Sequence, residues 1–170
     1  MSVALPERVD ASRMVQARRS FQGTLPLASL GRLRGSLAAV DGVAKYDLEF
    51  GRDALGTDYL AVRVEADLPL TCQRTLEVYR QPVRLDQRLG LIRNESDEAA
   101  LPPGYEPLLI ADGQVSLADV IEDELILALP VVPLKPGVPM DWSDAAPEED
   151  AEEKAANPFA ALAGLKKKSK

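Results

Sequence analysis

Histidine is absent from this 170-residue chain, and cysteine occurs once, at Cys72. The first absence removes the side chain whose unperturbed pKa lies nearest neutrality, so neither a Ser-His-Asp relay nor a Cys-His pair can be assembled. The second rules out an intramolecular disulfide and leaves too few thiolates and imidazoles for a four-ligand structural zinc site. Aromatic residues make up 5% of the chain, and Tyr46, Tyr59, Tyr79 and Tyr105 lack the close spacing of an RRM-type stacking platform. No uninterrupted apolar run reaches the roughly 18 residues of a membrane span, and no charged stretch, apolar core and small-residue cleavage site open the chain. These absences point to a cytoplasmic protein that needs no cofactor or metal, keeps away from membranes, and acts by binding rather than by catalysis.

What is present is unevenly distributed. Residues 1–40 carry Arg8, Arg13, Arg18, Arg19, Arg32 and Arg34 against Glu7 and Asp10, although the formal net charge is −7. Asp141, Asp144, Glu148, Glu149, Asp150, Glu152 and Glu153 account for that deficit, and little in their neighbourhood except Trp142 is apolar. Such a stretch cannot bury enough surface to offset the entropy of ordering it, so a disordered acidic linker is expected over residues 139–156. Residues 157–170 differ again: Phe159, Leu162 and Leu165 recur every third position before Lys166, Lys167, Lys168 and Lys170, the pattern of a short basic amphipathic segment.

Periodicity organises the remainder, residues 1–138, as a single α+β domain. Asp10 is placed to cap a short helix through about residue 19, and Pro26 to open a second one carrying Leu27, Leu30 and Leu33, with Phe21-Gln22-Gly23 as an extended link. Ala44, Tyr46, Leu48 and Phe50, and then Leu60, Val62, Val64, Ala66 and Leu68, alternate with polar or small neighbours. They predict an antiparallel hairpin joined by residues 51–56. Pro69 should end or bend its second strand. Leu76, Val78, Val83 and Leu85 predict a third strand interrupted at Pro82, followed by a short apolar piece over 89–92, which makes an antiparallel β-meander. Residues 94–98 read as an exposed loop, 101–107 as rigid and extended, and 108–111 as a last strand. Ser116 with Asp119 forms a variant capping box for a helix over about 117–129, ended by Pro130. Asp119, Glu122, Asp123 and Glu124 then fall in its first turns, where the helix dipole favours carboxylates.

Arg13 with Phe21-Gln22-Gly23, then Cys72-Gln-Arg74, Leu101 to Pro107, Glu122 to Pro133 and finally Asn157-Pro158-Phe159 with its lysine end occur in this order. In this the chain resembles the bacterial large ribosomal RNA subunit accumulation protein family, also called YceD, with residues 122–133 the most specific part. The resemblance implies a non-enzymatic role in making or keeping large-subunit (23S) ribosomal RNA, through that RNA or a pre-ribosomal particle. One departure stands out. Many relatives carry a second cysteine three residues after the first, and a histidine and further cysteine after the proline run, where this chain has Thr75 and Lys135. A metal clip available to such relatives would contribute folding free energy that packing must supply here.

Two functional readings follow, with different residues. In the first, Arg13, Arg18, Arg19, Arg32, Arg34 and Arg74 neutralise RNA phosphates, since guanidinium forks match phosphate oxygens and release counterions. Against it stand the overall acidity and the ordinary tendency of arginines to form a solvated face. In the second, the chain is an adaptor for a ribosomal or RNA-processing protein, held through Glu122, Asp123 and Glu124 and through Asn157, Pro158, Phe159, Leu162 and Leu165 as groove anchors. A carboxylate pair of Asp119 with Glu122 or Asp123 is the one arrangement resembling catalytic chemistry, and helix-dipole stabilisation explains it without a reaction. Cys72 reads most simply as a small apolar residue. No sequence feature specifies an oligomeric state.

Overall fold

In the computed structural model, residues 5–110 and 112–137 are described. The chain divides between Pro136 and Gly137. The expected linker 139–156 and the segment 157–170, with Asn157, Pro158, Phe159, Leu162 and Leu165, lie outside the described residues.

The architecture is α+β. A five-stranded sheet runs in the order β2-β3-β4-β5-β6, from Ser20–Pro26 (β2), Val43–Arg52 (β3), Asp58–Thr71 (β4), Val78–Ile92 (β5) and Glu106–Leu109 (β6). A two-stranded ribbon pairs Val9–Asp10 (β1) with Gln114–Val115 (β7), and two helices, Ala11–Gln16 (α1) and Leu117–Leu127 (α2), follow directly from its strands. Strands β2 to β5 form the antiparallel meander. The last strand departs from it: β6 runs parallel to β5, pairing Leu89 with Glu106 and Ile92 with Leu109.

Period-two alternation puts Tyr46, Leu48, Phe50, Leu60, Val62 and Val64 on one face of the sheet, buried with Leu117, Ile121 and Leu125 of α2 and with Leu27 and Leu33. Each buried Leu, Ile or Phe side chain contributes about 1.5–3 kcal/mol relative to exposure. The opposite face is charged and self-neutralising. Arg63 sits 3.6 Å from Asp47 and 3.5 Å from Asp86, and Arg84 3.8 Å from Glu65. Long exposed pairs of this kind add little stability, but they keep the open face soluble.

Four local expectations are corrected. Phe21-Gln22-Gly23 is the middle of β2, paired with Leu48, Asp47 and Tyr46. Glycine is needed there, because a Cβ on Gly23 would lie 2.6 Å from the Tyr46 hydroxyl. Residues 27–36 form two 3-10 turns, Leu27–Ser29 and Leu33–Ser36, instead of an α-helix. A leucine every third residue suits the period of 3.0 better than 3.6, and Leu27, Leu30 and Leu33 are all buried. Pro69 does not end β4 and Pro82 does not interrupt β5. The β3 pairing stops at Ala66 and the β6 pairing starts at Leu89, so among the described residues each proline sits where its strand has one neighbour only, which is where a missing N–H is tolerated. The loop after Asn94 is a 3-10 turn, Glu95–Ala100, with Asn94 and Asp97 completing a capping box.

Candidate nucleic-acid interface and acidic helix

The arginine candidates separate into different environments. Helix α1 starts at Asp10, whose side chain accepts the Arg13 N–H at 2.8 Å. It ends in a Schellman turn: the Arg18 N–H donates to the Val15 carbonyl at 3.1 Å and the Arg19 N–H to Met14 at 3.0 Å. That turn needs a left-handed residue, normally glycine, and here Arg18 takes it with φ 46°. Arg13, Arg18 and Arg19 are exposed, and none has a carboxylate partner among the described residues. The Arg19 guanidinium lies 5.9 Å from the centre of the Phe21 ring, which is braced edge-on against Phe50 at 6.5 Å. Pro6, Met14, Ala17 and Phe21 line a shallow groove of about 430 Å³ with Arg13 and Arg19 on its wall. Free guanidiniums beside a half-buried ring suit phosphate and base, respectively.

Arg32 is spoken for. Its Nε donates to Glu122 Oε2 at 3.0 Å and its Nη1 to Asp123 Oδ1 at 2.5 Å. The backbone N–H groups of Arg32 and Leu33 both donate to Glu122 Oε1, at 2.6 and 3.0 Å. Burial by itself would raise the Glu122 pKa, yet these donors together with the Arg32 charge hold it below the ordinary value. Glu122, 5% exposed, therefore fastens α2 to the second 3-10 turn and offers nothing to a partner. This replaces the helix-dipole explanation of that residue. Asp123 is exposed and shares Arg32. Glu124 is buried at 7% exposure with no hydrogen-bond or ion-pair partner among the described residues. Burial and the neighbouring Glu106 and Asp123 charges raise its pKa.

Arg34 is exposed on the second 3-10 turn, apart from α1. Arg74 lies in the loop after β4, beside a cysteine that departs from the simple apolar reading. Cys72 is fully buried, but its Sγ accepts the Lys135 N–H at 3.4 Å. With Thr75 and the Arg74 N–H also donating, the thiol is pulled from 9.0 to about 6. Lys135 Nζ in turn pairs with Glu77 at 2.9 Å, and the Gln73 N–H donates to the Pro133 carbonyl at 2.9 Å. Backbone and packing thus tie the residue 72 loop to the residue 135 segment, and among the described residues no cluster of three or more His, Cys, Asp or Glu side chains is placed to hold a metal.

Spacing along the chain gives no hint of another cluster. On the charged face, Arg88 lies over the Tyr59 ring at 5.0 Å and the Tyr105 ring at 5.8 Å, and the Tyr105 hydroxyl donates to Asp53 at 2.9 Å. A Cβ on Gly51 would meet the Tyr59 hydroxyl at 2.5 Å, so glycine makes room for the ring. The one sequence signal for this group is that glycine near the end of the otherwise regular strand β3.

The match to known proteins covers nearly the whole chain. A family model described as "Large ribosomal RNA subunit accumulation protein YceD" matches residues 60–166. A protein of that name from Haemophilus influenzae is 35% identical over 98% of this chain and 98% of its own length. The chain belongs to the YceD family. No solved structure matches it. The family model begins at β4, so the arginines of α1 lie ahead of it, while the Haemophilus YceD protein aligns through nearly the whole chain. Among the described residues, no helix is long and apolar enough to cross a membrane.

Proposed function

We propose that this YceD-family chain is a cytoplasmic, non-enzymatic factor in large-subunit ribosomal RNA accumulation, and that it binds that RNA or a pre-ribosomal particle through the Arg13, Arg18 and Arg19 corner. The observation that carries this reading is the contrast in pairing. These three cations stand exposed without carboxylate partners among the described residues, whereas Arg32 is committed to Glu122 and Asp123. A protein with pI about 4.7 has no general attraction for RNA, so contact must come from a local patch. The Arg19–Phe21 pair gives that patch a surface on which an unstacked base can lie.

The test measures binding of purified full-length protein to a transcribed large-subunit RNA fragment set at several salt concentrations. Replacing Arg13, Arg18 and Arg19 together with alanine should weaken binding and flatten its salt dependence by roughly two units in the log-log slope, at about 0.7 for each single-strand phosphate no longer neutralised. Unchanged affinity and slope would end the proposal. Arg34 and Arg74 serve as controls: alanine at either leaves binding through the α1 corner intact.

A further inference from the structure

A groove runs between β6 and α2 at the parallel edge of the sheet. One end, of about 440 Å³, is walled by Leu89, Pro107, Leu108, Val120 and Leu127. It continues into a second hollow of about 530 Å³ that shares Leu108, Val120 and Asp123. Three observations concern what it would accept. First, β6 is the terminal strand, bonded to β5 on one side and, among the described residues, to no strand on the other. Second, Glu124 lines the groove, nine-tenths buried and without a hydrogen-bond or ion-pair partner among the described residues. Third, the mouth is apolar, with Leu127 74% and Leu109 47% exposed.

The Glu124 side chain is mostly enclosed and its carboxylate has no partner among the described residues, so a cation entering the groove would find an acceptor with little competing solvent. The charge around it is negative: burial raises its pKa first, Glu106 from β6 and Asp123 from α2 raise it further, and β5 contributes only Leu89 to the groove. RNA is excluded by that sign. A bare metal ion is not served either, since no metal-ligating cluster forms among the described residues. A lysine or arginine side chain fits both features, laying its methylenes along leucine and proline while its charged head reaches Glu124. The free edge of β6 is short and contains Pro107, so it offers an extended peptide a few backbone groups, among them the Leu109 N–H, and leaves most of the recognition to the groove side chains.

We infer that this groove is a docking site for an extended, lysine- or arginine-bearing segment of a partner protein, which adds a strand to β6 and places one cation on Glu124. This deepens the adaptor reading of the acidic helix and moves its anchor from Glu122 to Glu124. It is independent of the α1 corner, so RNA binding and peptide binding are abolished by different substitutions.

The experiment titrates the full-length protein with a fluorescent peptide of alternating lysine and valine, about eight residues long, an ordinary strand length. Its control has glutamate at every lysine position. The lysine peptide should bind, with amide shifts in the NMR spectrum concentrated in β6 and α2, and the glutamate peptide should not. Glu124→Gln should weaken binding about tenfold, the loss of one charge-assisted hydrogen bond. It should not lower the melting temperature, because Glu124 makes no hydrogen bond or ion pair among the described residues whose loss would cost stability. Leu127→Lys, at the mouth, should also weaken binding by repelling the peptide. In the wild type the Glu124 titration should move to lower pH when peptide is bound. Equal binding by Glu124→Gln, equal binding of both peptides, or shifts outside β6 and α2 would overturn the inference. So would sedimentation showing that a second copy of the chain occupies the groove and leaves it on Glu124→Gln substitution.

Discussion

Arg32 and the Arg13–Arg18–Arg19 group lie within twenty residues of one another and carry the same side chain, yet the fold treats them in opposite ways. Arg32 lies against a buried carboxylate that also accepts two backbone N–H groups, so its charge is used to hold α2 in place. The α1 arginines meet no carboxylate among the described residues, and one of them occupies a backbone conformation that side chains avoid. Charge content along a sequence says how many cations exist. Only the pairing says which remain for an external anion. Of the six arginines in this locally basic third, Arg8 is paired with Asp112 and Arg32 with Glu122 and Asp123, while Arg13, Arg18, Arg19 and Arg34 have no carboxylate partner among the described residues, and three of those four share the α1 corner.

The comparison breaks first at Glu122 if it is wrong. Replacing Glu122 with alanine leaves the Arg32 and Leu33 N–H groups without their acceptor and takes one of the two carboxylate partners from the Arg32 guanidinium, and should cost about 3 kcal/mol in urea denaturation. Arg32→Ala leaves the two N–H groups on Glu122 and should cost less, because the half-exposed guanidinium is replaced by water at the carboxylate. The order is the informative result. A structural Arg32 lowers stability without a change in the salt slope of RNA binding, and the α1 triple substitution does the reverse, with stability within about 0.5 kcal/mol of wild type. Were Arg32→Ala to flatten the salt slope at unchanged stability, the division between structural and free arginines would fail.

A finer test lies in Arg18 alone. A non-glycine residue in the left-handed region costs about 1–2 kcal/mol, so Arg18→Gly should stabilise the domain by about 1 kcal/mol, seen as a higher urea midpoint at unchanged slope. If the guanidinium also contacts phosphate, the same substitution weakens RNA binding. Stability and binding then move in opposite directions, which no purely structural role of Arg18 produces.

Strand period, the capped α2 and the α1 start were legible because each rests on local chemistry: alternation at 44–50 and 60–68, Ser116 as acceptor for the Asp119 N–H, Asp10 for Arg13. The 3-10 turns were half legible, since the leucine spacing of three was visible while its period was assigned to an α-helix. What stayed hidden depends on partners far apart in sequence. Glu122 meets Arg32 across 90 residues, β6 runs parallel because a crossover returns it beside β5, and Pro82 survives in β5 because, among the described residues, its far side has no neighbouring strand there. The groove at Glu124 was out of reach for the same reason: a helix pattern shows that a carboxylate sits near an apolar stripe, but not that a strand edge closes over it.

The smallest expected effect sharpens the comparison at Arg74, an exposed arginine that acts through its backbone. Its N–H, with the Thr75 donors and the Lys135 N–H first among them, lowers the Cys72 thiol to about 6 from 9.0. The folded state thus favours the thiolate, and the sign follows. Stability from this group is absent below about pH 6, grows as pH rises through 6 toward 9, and is complete above the unfolded value. Urea midpoints of wild type minus Cys72→Ser, taken at intervals across that window, should therefore increase with pH. Arg74→Ala keeps the backbone donor and should reproduce the wild-type slope. A slope that persists in Cys72→Ser would place its origin in another group, and one abolished in Arg74→Ala would make the guanidinium a partner of the thiolate, turning Arg74 into a second structural arginine beside Arg32.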